Sequence, residues 1–242
     1  MNIAIIFAAG IGQRLNSENN LPKQFLQINE KPILIHTLEH FQNHKKIDKI
    51  YIATLEEYIN TTEELIKKYN INKAKKIVKG GSCAMESIYN ALSAAKSENP
   101  DDSIVLIHDG VRPILNSEVI DNNIESVIKN GNAITIVPCV ETIVVSQDKN
   151  IANSVPIRKE TFKAQAPQSF RLGEIIEAHN IEKADSNYLD VVDNCTLYMK
   201  QNRKVYLVEG NFGNIKITTP EDVYILKGIL DFIKAKENKI VG

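Results

Sequence analysis

Two glycines and two cations near the start of the chain have the composition of a phosphate-binding loop. Gly10 and Gly12 follow a short apolar run, and Arg14 and Lys23 come soon after them. Because glycine has no Cβ, backbone N–H groups beside it can closely approach phosphate oxygens. The segment lacks the GxxxxGK pattern of a P-loop, and Leu15 takes the place of the third glycine of a Rossmann fingerprint. Two cations suit a triphosphate, since they can stabilise the charge that the reacting α-phosphorus gains in the transition state.

Further charged residues occur at two later points of the chain. Asp109 follows an apolar run, and a carboxylate at the end of a buried strand can bind Mg²⁺ on nucleotide phosphates; a helix N-cap or an ion pair with Arg112 is the alternative. Arg112 has the planar fork that binds a phosphate. Lys216 follows a glycine-containing loop and either brings a third cation to the α-phosphate or is a solvated lysine. We expect His108 to be packed and hydrogen-bonded, because an anionic phosphate nucleophile needs no general base.

Apolar runs alternate with amphipathic stretches along most of the chain. The predicted strands are residues 3–8, 49–54, 75–78, 104–108, 133–137 and 204–208. The predicted helices are residues 32–41, 56–69, 85–95, 117–128, 173–182 and 191–201, and a last helix from residue 219. Strands alternating with helices of this length indicate parallel βαβ units. We therefore predict an α/β fold, with a Rossmann-like, mostly parallel sheet flanked by helices, in a single domain of residues 1–242. Residues 141–166 lack a helical period and are expected to form an extended β-arm.

Composition excludes several classes of protein. The 242 residues are 43% hydrophobic and 24% charged, which excludes wholesale disorder. Lys and Arg total 29 against 30 for Asp and Glu, and this balance argues against a nucleic-acid partner. No apolar run approaches the roughly 20 residues that span a bilayer, so we expect no membrane association. The odd set Cys83, Cys139 and Cys195 has no CxxC spacing, which favours reduced thiols in a cytoplasmic protein.

Four sequence blocks occur in an order that is more specific than any one of them. They are the glycine loop with Pro-Lys-Gln-Phe at residues 22–25, His-Asp-Gly-Val-Arg-Pro at 108–113, Gln-Ala-Pro-Gln-Ser-Phe at 165–170, and Asn-Ile-Lys-Ile-Thr at 214–218. In these blocks the chain resembles the cytidylyltransferase family that contains the methylerythritol-phosphate and ribitol-5-phosphate enzymes. The resemblance extends over nearly the whole length.

The resemblance implies a nucleotidyl transfer from CTP to a polyol phosphate that depends on Mg²⁺. It implies that Arg14, Lys23 and Lys216 are catalytic and that Asp109 binds the metal. Ser87 belongs to a segment that resembles the base-recognition segment of the family, although a serine there can equally cap the helix that follows. The residues implied to bind the nucleotide are Ala8, Ala9, Gly10, Gly12, Gly80, Gly81, Ser82, Ser87 and Asp109.

The resemblance also implies a homodimer in which active sites are shared. Thr142 and Arg158, in the predicted arm, match positions that in the family reach into the active site of the partner subunit. An extended arm with few core contacts of its own is hard to stabilise without a partner surface. The residues implied to bind the second substrate are Arg112, Thr142, Arg158 and Asp193.

Three departures from the family pattern bear on substrate binding, one cation loss on the nucleotide or phosphate contacts and two hydroxyl losses on the polyol phosphate. Ala84 replaces an arginine, Ala166 a threonine, and Val192 the threonine before Asp193. Loss of a hydrogen bond to a charged group costs roughly 1.5–3 kcal/mol, so an enzyme for methylerythritol phosphate is not expected to lack all three. We therefore favour D-ribitol 5-phosphate, with 2-C-methyl-D-erythritol 4-phosphate or another sugar phosphate as the alternative. Two other classes stay open: an NAD(P)-dependent reductase, which predicts nicotinamide binding, and a non-catalytic module that binds CTP without releasing pyrophosphate.

Overall fold

A seven-stranded sheet lies at the centre of the structure, a computed structural model that describes residues 1–10, 21–184, 188 and 191–237. Its strands are β1 (Asn2–Ala8), β4 (Lys49–Thr54), β5 (Ala74–Lys79), β6 (Ile104–Asp109), β7 (Asn132–Pro138), β8 (Phe162–Arg171) and β9 (Leu207–Glu209). The short strands β2 (Gln27–Ile28) and β3 (Lys31–Pro32) form a separate antiparallel pair. The strand order is β5-β4-β1-β6-β8-β7-β9. The pairs β5–β4, β4–β1, β1–β6 and β7–β9 are parallel, and β8 runs antiparallel to β6 and β7.

Helices cover both faces of this sheet, which confirms the predicted α/β fold. They are α1 (Ile33–Asn43), α2 (Ile59–Lys68), α3 (Ala84–Lys96), α4 (Ser117–Asn130), α5 (Leu172–Lys183), α6 (Asn194–Lys200) and α7 (Pro220–Glu237). Side chains of β1 alternate between two apolar clusters: Ala4 and Ile6 pack with α1 and α4, whereas Ile3 and Ile5 pack with α3, α5 and α6. This is why β1 is a continuous apolar run. No helix among the described residues is long and apolar enough to cross a membrane.

Two boundaries near the arm differ from those that the sequence predicts. Residues 162–166 belong to β8, where Ala164 pairs with Ile136 and Phe162 with Pro138, so β7 keeps a partner along its whole length. The excursion from the sheet is therefore residues 139–161, which we call the arm. Its backbone closes through one bridge, between Val145 and Ser154. Strand β9 covers Leu207–Glu209 rather than residues 204–208, because its pairing with β7 begins only at Leu207.

A buried hydrogen-bond network joins α4 to the sheet beside the apolar clusters. The Asn123 amide donates to the Val119 carbonyl at 2.8 Å and to the Thr135 hydroxyl at 2.9 Å. The Ser169 hydroxyl donates to Asn123 Oδ1 at 2.8 Å, and the Thr135 hydroxyl donates to the Pro167 carbonyl at 2.6 Å. Asn123, Thr135 and Ser169 are all fully buried. One asparagine side chain thus satisfies polar groups of α4, β7 and β8 at once.

Replacement of Asn123 with alanine is expected to lower the free energy of unfolding by about 1–3 kcal/mol, because the buried Ser169 hydroxyl loses its acceptor. Urea unfolding measures the change. The matched control is Asn122→Ala on the exposed side of the same helix, which we expect to change stability by less than about 0.5 kcal/mol. Equal losses for the two variants would contradict a stabilising role of the network.

Candidate active site

A cavity of about 680 Å³ opens at the carboxyl ends of β1 and β6. Ligands bind at this edge in parallel α/β sheets. Nine of the residues predicted for the site line it: Ala8, Ala9, Gly10, Lys23, Gly81, Ser82, Ser87, Asp109 and Lys216. Gly12 and Arg14 lie outside the described residues. Other lining residues that the prediction did not assign include Gln24, Cys83, Ala84, Val111 and Thr218.

Lys23 reaches the cavity from a short 3-10 turn, Lys23–Phe25, that is fixed to the end of β1. The buried Gln24 amide donates to the Ala8 carbonyl at 2.6 Å. The Phe25 ring stacks on the Tyr58 ring with 4.7 Å between centroids. These two contacts, made by the two residues that follow Lys23, fix the turn that carries it. Gln24 belongs to the Pro-Lys-Gln-Phe block that the sequence analysis singled out. The sequence alone does not show which backbone carbonyl its side chain contacts.

The loop after β5 approaches the loop after β1 so closely that a side chain would not fit between them. The Gly80 amide donates to the Thr54 carbonyl at 2.7 Å. A Cβ on Gly80 would lie 2.2 Å from the Ala9 Cβ and 3.1 Å from the Ser87 hydroxyl oxygen. Gly80 therefore brings the two loops together behind the cavity rather than lining it.

Ser87 stabilises the loop after β5 instead of capping α3. Its hydroxyl accepts a hydrogen bond from the Gly81 amide at 3.0 Å and donates one to the Cys83 carbonyl at 2.9 Å. The N-cap of α3 is Cys83, whose sulfur accepts from the Glu86 amide at 3.4 Å, so of the two interpretations of Ser87 left open by the sequence, helix capping is wrong. The Glu86 carboxylate accepts from both the amide and the hydroxyl of Ser82. The segment that resembles a base-recognition loop is thus fixed by hydrogen bonds from its own helix.

Asp109 lies between two cations at the floor of the cavity. Its Oδ1 is 2.6 Å from Lys216 Nζ, and its Oδ2 accepts from Arg112 Nε at 2.8 Å. Burial by itself raises the pKa of the Asp109 carboxyl, but the charges of Lys216 and Arg112 outweigh burial and lower the pKa to about 2. The carboxylate is therefore ionised at neutral pH and holds Lys216 at the cavity.

Arg112 has a second partner that joins two loops. Its Nη1 donates to the Asn214 carbonyl at 2.7 Å, and the Asn214 amide in turn donates to the Ala166 carbonyl at 2.6 Å. The Ile217 amide donates to the Val111 carbonyl at 2.9 Å. The segment that carries Lys216 is thus attached to the loop after β6. The ion pair of Asp109 with Arg112 was one of the two interpretations left open by the sequence, and it is present.

Four residues predicted to bind the second substrate lie outside the cavity lining. Arg112 contacts Asp109 and the Asn214 carbonyl. Thr142 and Arg158 are exposed on the arm. Asp193 is the N-cap of α6: its Oδ1 accepts from the amide and the hydroxyl of Thr196 at 2.8 and 2.7 Å. Its Oδ2 accepts from the Gln168 amide at 2.8 Å. Both carboxylate oxygens of Asp193 therefore have partners within the chain.

The donor set at the cavity suits a magnesium ion that arrives with a nucleotide. The described residues contain no cluster of three or more histidine, cysteine or carboxylate side chains that could hold a metal ion. Mg²⁺ is usually bound by one or two carboxylates together with substrate phosphates and water. Asp109, an ionised carboxylate in the cavity wall, meets this requirement, so the residues present fit the ion.

His108 stabilises the same loop from the protein interior. It is fully buried, packs against the Phe41 ring at 5.2 Å between centroids, and its Nε2 donates to the Arg112 carbonyl at 3.1 Å. Burial lowers the pKa of His108 to about 3, although the hydrogen bond to Arg112 opposes the change. The ring is therefore neutral at physiological pH and is packed and hydrogen-bonded, as the sequence predicted.

Comparison with known proteins gives one consistent family. The family model described as IspD, 2-C-methyl-D-erythritol 4-phosphate cytidylyltransferase, matches residues 2–231. A ribitol-5-phosphate cytidylyltransferase of Streptococcus agalactiae serotype V is 41% identical over 239 residues, which cover 99% of this chain and 98% of the relative. A 2-C-methyl-D-erythritol 4-phosphate cytidylyltransferase of Clostridium botulinum (strain Okra) is 42% identical over 230 residues, or 95% of this chain and 97% of the relative.

A solved structure has the same fold. The crystal structure of 4-diphosphocytidyl-2C-methyl-D-erythritol synthase from Anaerococcus prevotii superposes with a TM-score of 0.82 at 27% identity. The match covers 95% of this chain and 96% of that structure. Sequence and structure thus point to the same family over nearly the full length.

The buried His108 is expected to make stability depend on pH. A histidine with a folded pKa below its unfolded value of about 6.5 contributes stability above pH 6.5. That stability is lost as the pH falls towards the folded pKa of about 3, because the unfolded chain then binds more protons. The amide of the His108→Gln variant can also donate to the Arg112 carbonyl. Below pH 6.5 this variant should lose about 1 kcal/mol less of its free energy of unfolding per pH unit than the wild-type protein. Urea unfolding from pH 7 to 4 measures this, and parallel curves for the two proteins would contradict it.

Proposed function

The chain belongs to the IspD family of cytidylyltransferases, and from that premise we propose that it transfers CMP from CTP to D-ribitol 5-phosphate. The products would be CDP-ribitol and pyrophosphate. The observation that carries the proposal is the convergence of Lys23, Lys216 and the ionised Asp109 in one cavity at the carboxyl ends of β1 and β6. 2-C-Methyl-D-erythritol 4-phosphate is the alternative second substrate, because a relative that is 42% identical bears that name, against 41% for the ribitol-5-phosphate enzyme.

The reaction needs positioning and charge rather than a covalent intermediate. An oxygen of the polyol phosphate would attack the α-phosphorus of CTP in line, forming a new P–O bond as the bond to the bridging oxygen of pyrophosphate breaks. The attacking oxygen is already anionic, so no side chain must remove a proton. This agrees with the position of His108, which is fully buried and does not line the cavity.

Lys23 and Lys216 would stabilise the negative charge that develops at the α-phosphorus, with Arg14 as the third cation. Lys216 is already held at the cavity by Asp109, and the Lys23 turn is fixed to β1 through Gln24. Side chains that are fixed in place before the substrate binds need little reorganisation during the reaction. Asp109 would also hold Mg²⁺, which when bound neutralises charge on the triphosphate.

The loop after β5 would recognise the base. Gly81 and Ser82 line the cavity beside the β1 loop, where their backbone groups would read the edge of a pyrimidine. Ser87 would act mainly by holding the Gly81 amide in place, since its hydroxyl already donates to Cys83. The small side chain of Ala84 faces the cavity where the family pattern has an arginine.

The arm would form the contact of a homodimer and complete the site of the partner. Its exposed apolar residues, which lack core contacts within their own subunit, are Val140, Val144, Val145, Ile151, Val155 and Ile157. Thr142 and Arg158 are exposed on the same arm and would bind the polyol phosphate in the partner's cavity. We place the protein in the cytoplasm, where CTP is made.

Replacement of Lys23 with alanine is expected to lower kcat by about two orders of magnitude or more, the scale for loss of one donor to the transition state. Pyrophosphate release with CTP and ribitol 5-phosphate measures this. Lys45→Ala, an exposed lysine outside the cavity lining, is the matched control and should keep normal turnover. Near-normal turnover of the Lys23 variant would remove Lys23 from the mechanism.

The second substrate is tested by assaying ribitol 5-phosphate and 2-C-methyl-D-erythritol 4-phosphate side by side with CTP. We expect kcat/KM for ribitol 5-phosphate to be at least about tenfold higher, because a site built for particular hydroxyl groups rejects a substrate that leaves them unpaired. The Lys23→Ala enzyme serves as the background. The opposite preference would establish the alternative substrate, and CTP binding without pyrophosphate release from either would indicate a non-catalytic module.

A further inference from the structure

Helix α7 is apolar on two opposite faces, and only one of them is covered. Leu226 is fully buried and Leu230 packs on the same cluster below the helix. On the other face Tyr224, Ile225 and Phe232 are 78%, 51% and 56% exposed. Exposed apolar patches on a subunit commonly mark contact surfaces, and the second apolar face of α7 has no cover within the subunit.

Gly228 lies in the middle of this exposed face, and the subunit itself gives no reason for a glycine there. A Cβ at Gly228 would meet no atom within 4 Å, and its φ is not positive. Glycine in a helix interior weakens the helix relative to alanine. A glycine does have a use where another backbone must come close, since it removes the Cβ that would keep two helices apart.

We propose that α7 is an interaction surface that pairs antiparallel with α7 of a second copy of this chain, about a two-fold axis beside Gly228. In such a contact, residues equally far from Gly228 on opposite sides face each other. Tyr224 and Phe232 are each four residues away, or about 6 Å along the helix. Tyr224 would therefore pack on the partner's Phe232, and Phe232 on the partner's Tyr224.

The charges on α7 favour the same arrangement. Glu221 precedes Gly228 by seven residues and Lys236 follows it by eight, and both are exposed. The antiparallel register places Glu221 opposite the partner's Lys236, and Lys227 within one turn of the partner's Asp231. A parallel register would instead set like charges opposite each other, which is unfavourable. The apolar face is thus flanked by charges that are complementary to those of a second copy.

This contact is separate from the arm and does not depend on the proposed function. The test is the molar mass of the full chain by light scattering over a range of concentrations. Gly228→Leu adds a side chain where the subunit has open space, so the thermal midpoint should stay the same or rise while the molar mass falls by half. Phe232→Glu should also halve the mass. Ile128→Glu, an equally exposed apolar position on α4, is the control and should leave the mass unchanged.

A charge exchange decides between this contact and any other. Glu221→Lys alone and Lys236→Glu alone should each weaken association by at least tenfold, whereas the double variant restores the opposite charges and should recover the wild-type mass. The arm is untouched in all three proteins, so recovery is specific to α7. An unchanged mass in Gly228→Leu, or a double variant no better than the single variants, would overturn the proposal.

Discussion

The site depends on one buried carboxylate between two cations. Asp109 contacts Lys216 on one oxygen and Arg112 on the other, and Arg112 also donates to the Asn214 carbonyl. A buried charge is costly unless it is paired and hydrogen-bonded, so the ionised Asp109 requires cations at its carboxylate. This requirement fixes the end of β6 against the segment that carries Lys216. The edge of the sheet that bears the cavity is therefore ordered by electrostatics as well as by strand pairing.

Two other segments complete that edge through contacts that do not involve charge. Gln24 attaches the Lys23 turn to β1, and the absence of a side chain on Gly80 lets the β5 loop come within contact of Ala9. Segments from four parts of the chain are thus fixed to one another before any ligand binds. Electrostatic stabilisation is effective under this condition, because the groups that face the developing charge need not move during the reaction.

The sequence predicted the fold and the cavity better than it predicted the partners of individual side chains. The position of Asp109 followed from strand periodicity, because all parallel strands end at one edge of the sheet. The roles of Ser87 and Asp193 did not follow, since each has several partners within reach and only the folded chain decides among them. The same holds for Arg112, which could pair with a ligand phosphate or with a carboxylate three residues away. The arm boundary was displaced because the antiparallel pairing of β8 with β7 leaves no local signal in the sequence.

The charge of the cavity bears on whether one subunit can form a complete site. Among the described residues that line it, the charged ones are Lys23, Lys216 and Asp109, a net charge of one positive unit. A nucleoside triphosphate and a phosphomonoester together bring several negative charges into this space, and each needs compensation in a partly buried site. Ala84 removes a further cation that the family pattern would supply from α3. The balance therefore calls for further positive charge, which in the proposed mechanism would come from Arg14, the magnesium ion and Arg158 on the arm of a second subunit. The charge of the cavity thus agrees with the proposed sharing of the site between subunits, as do the exposed apolar residues on the arm.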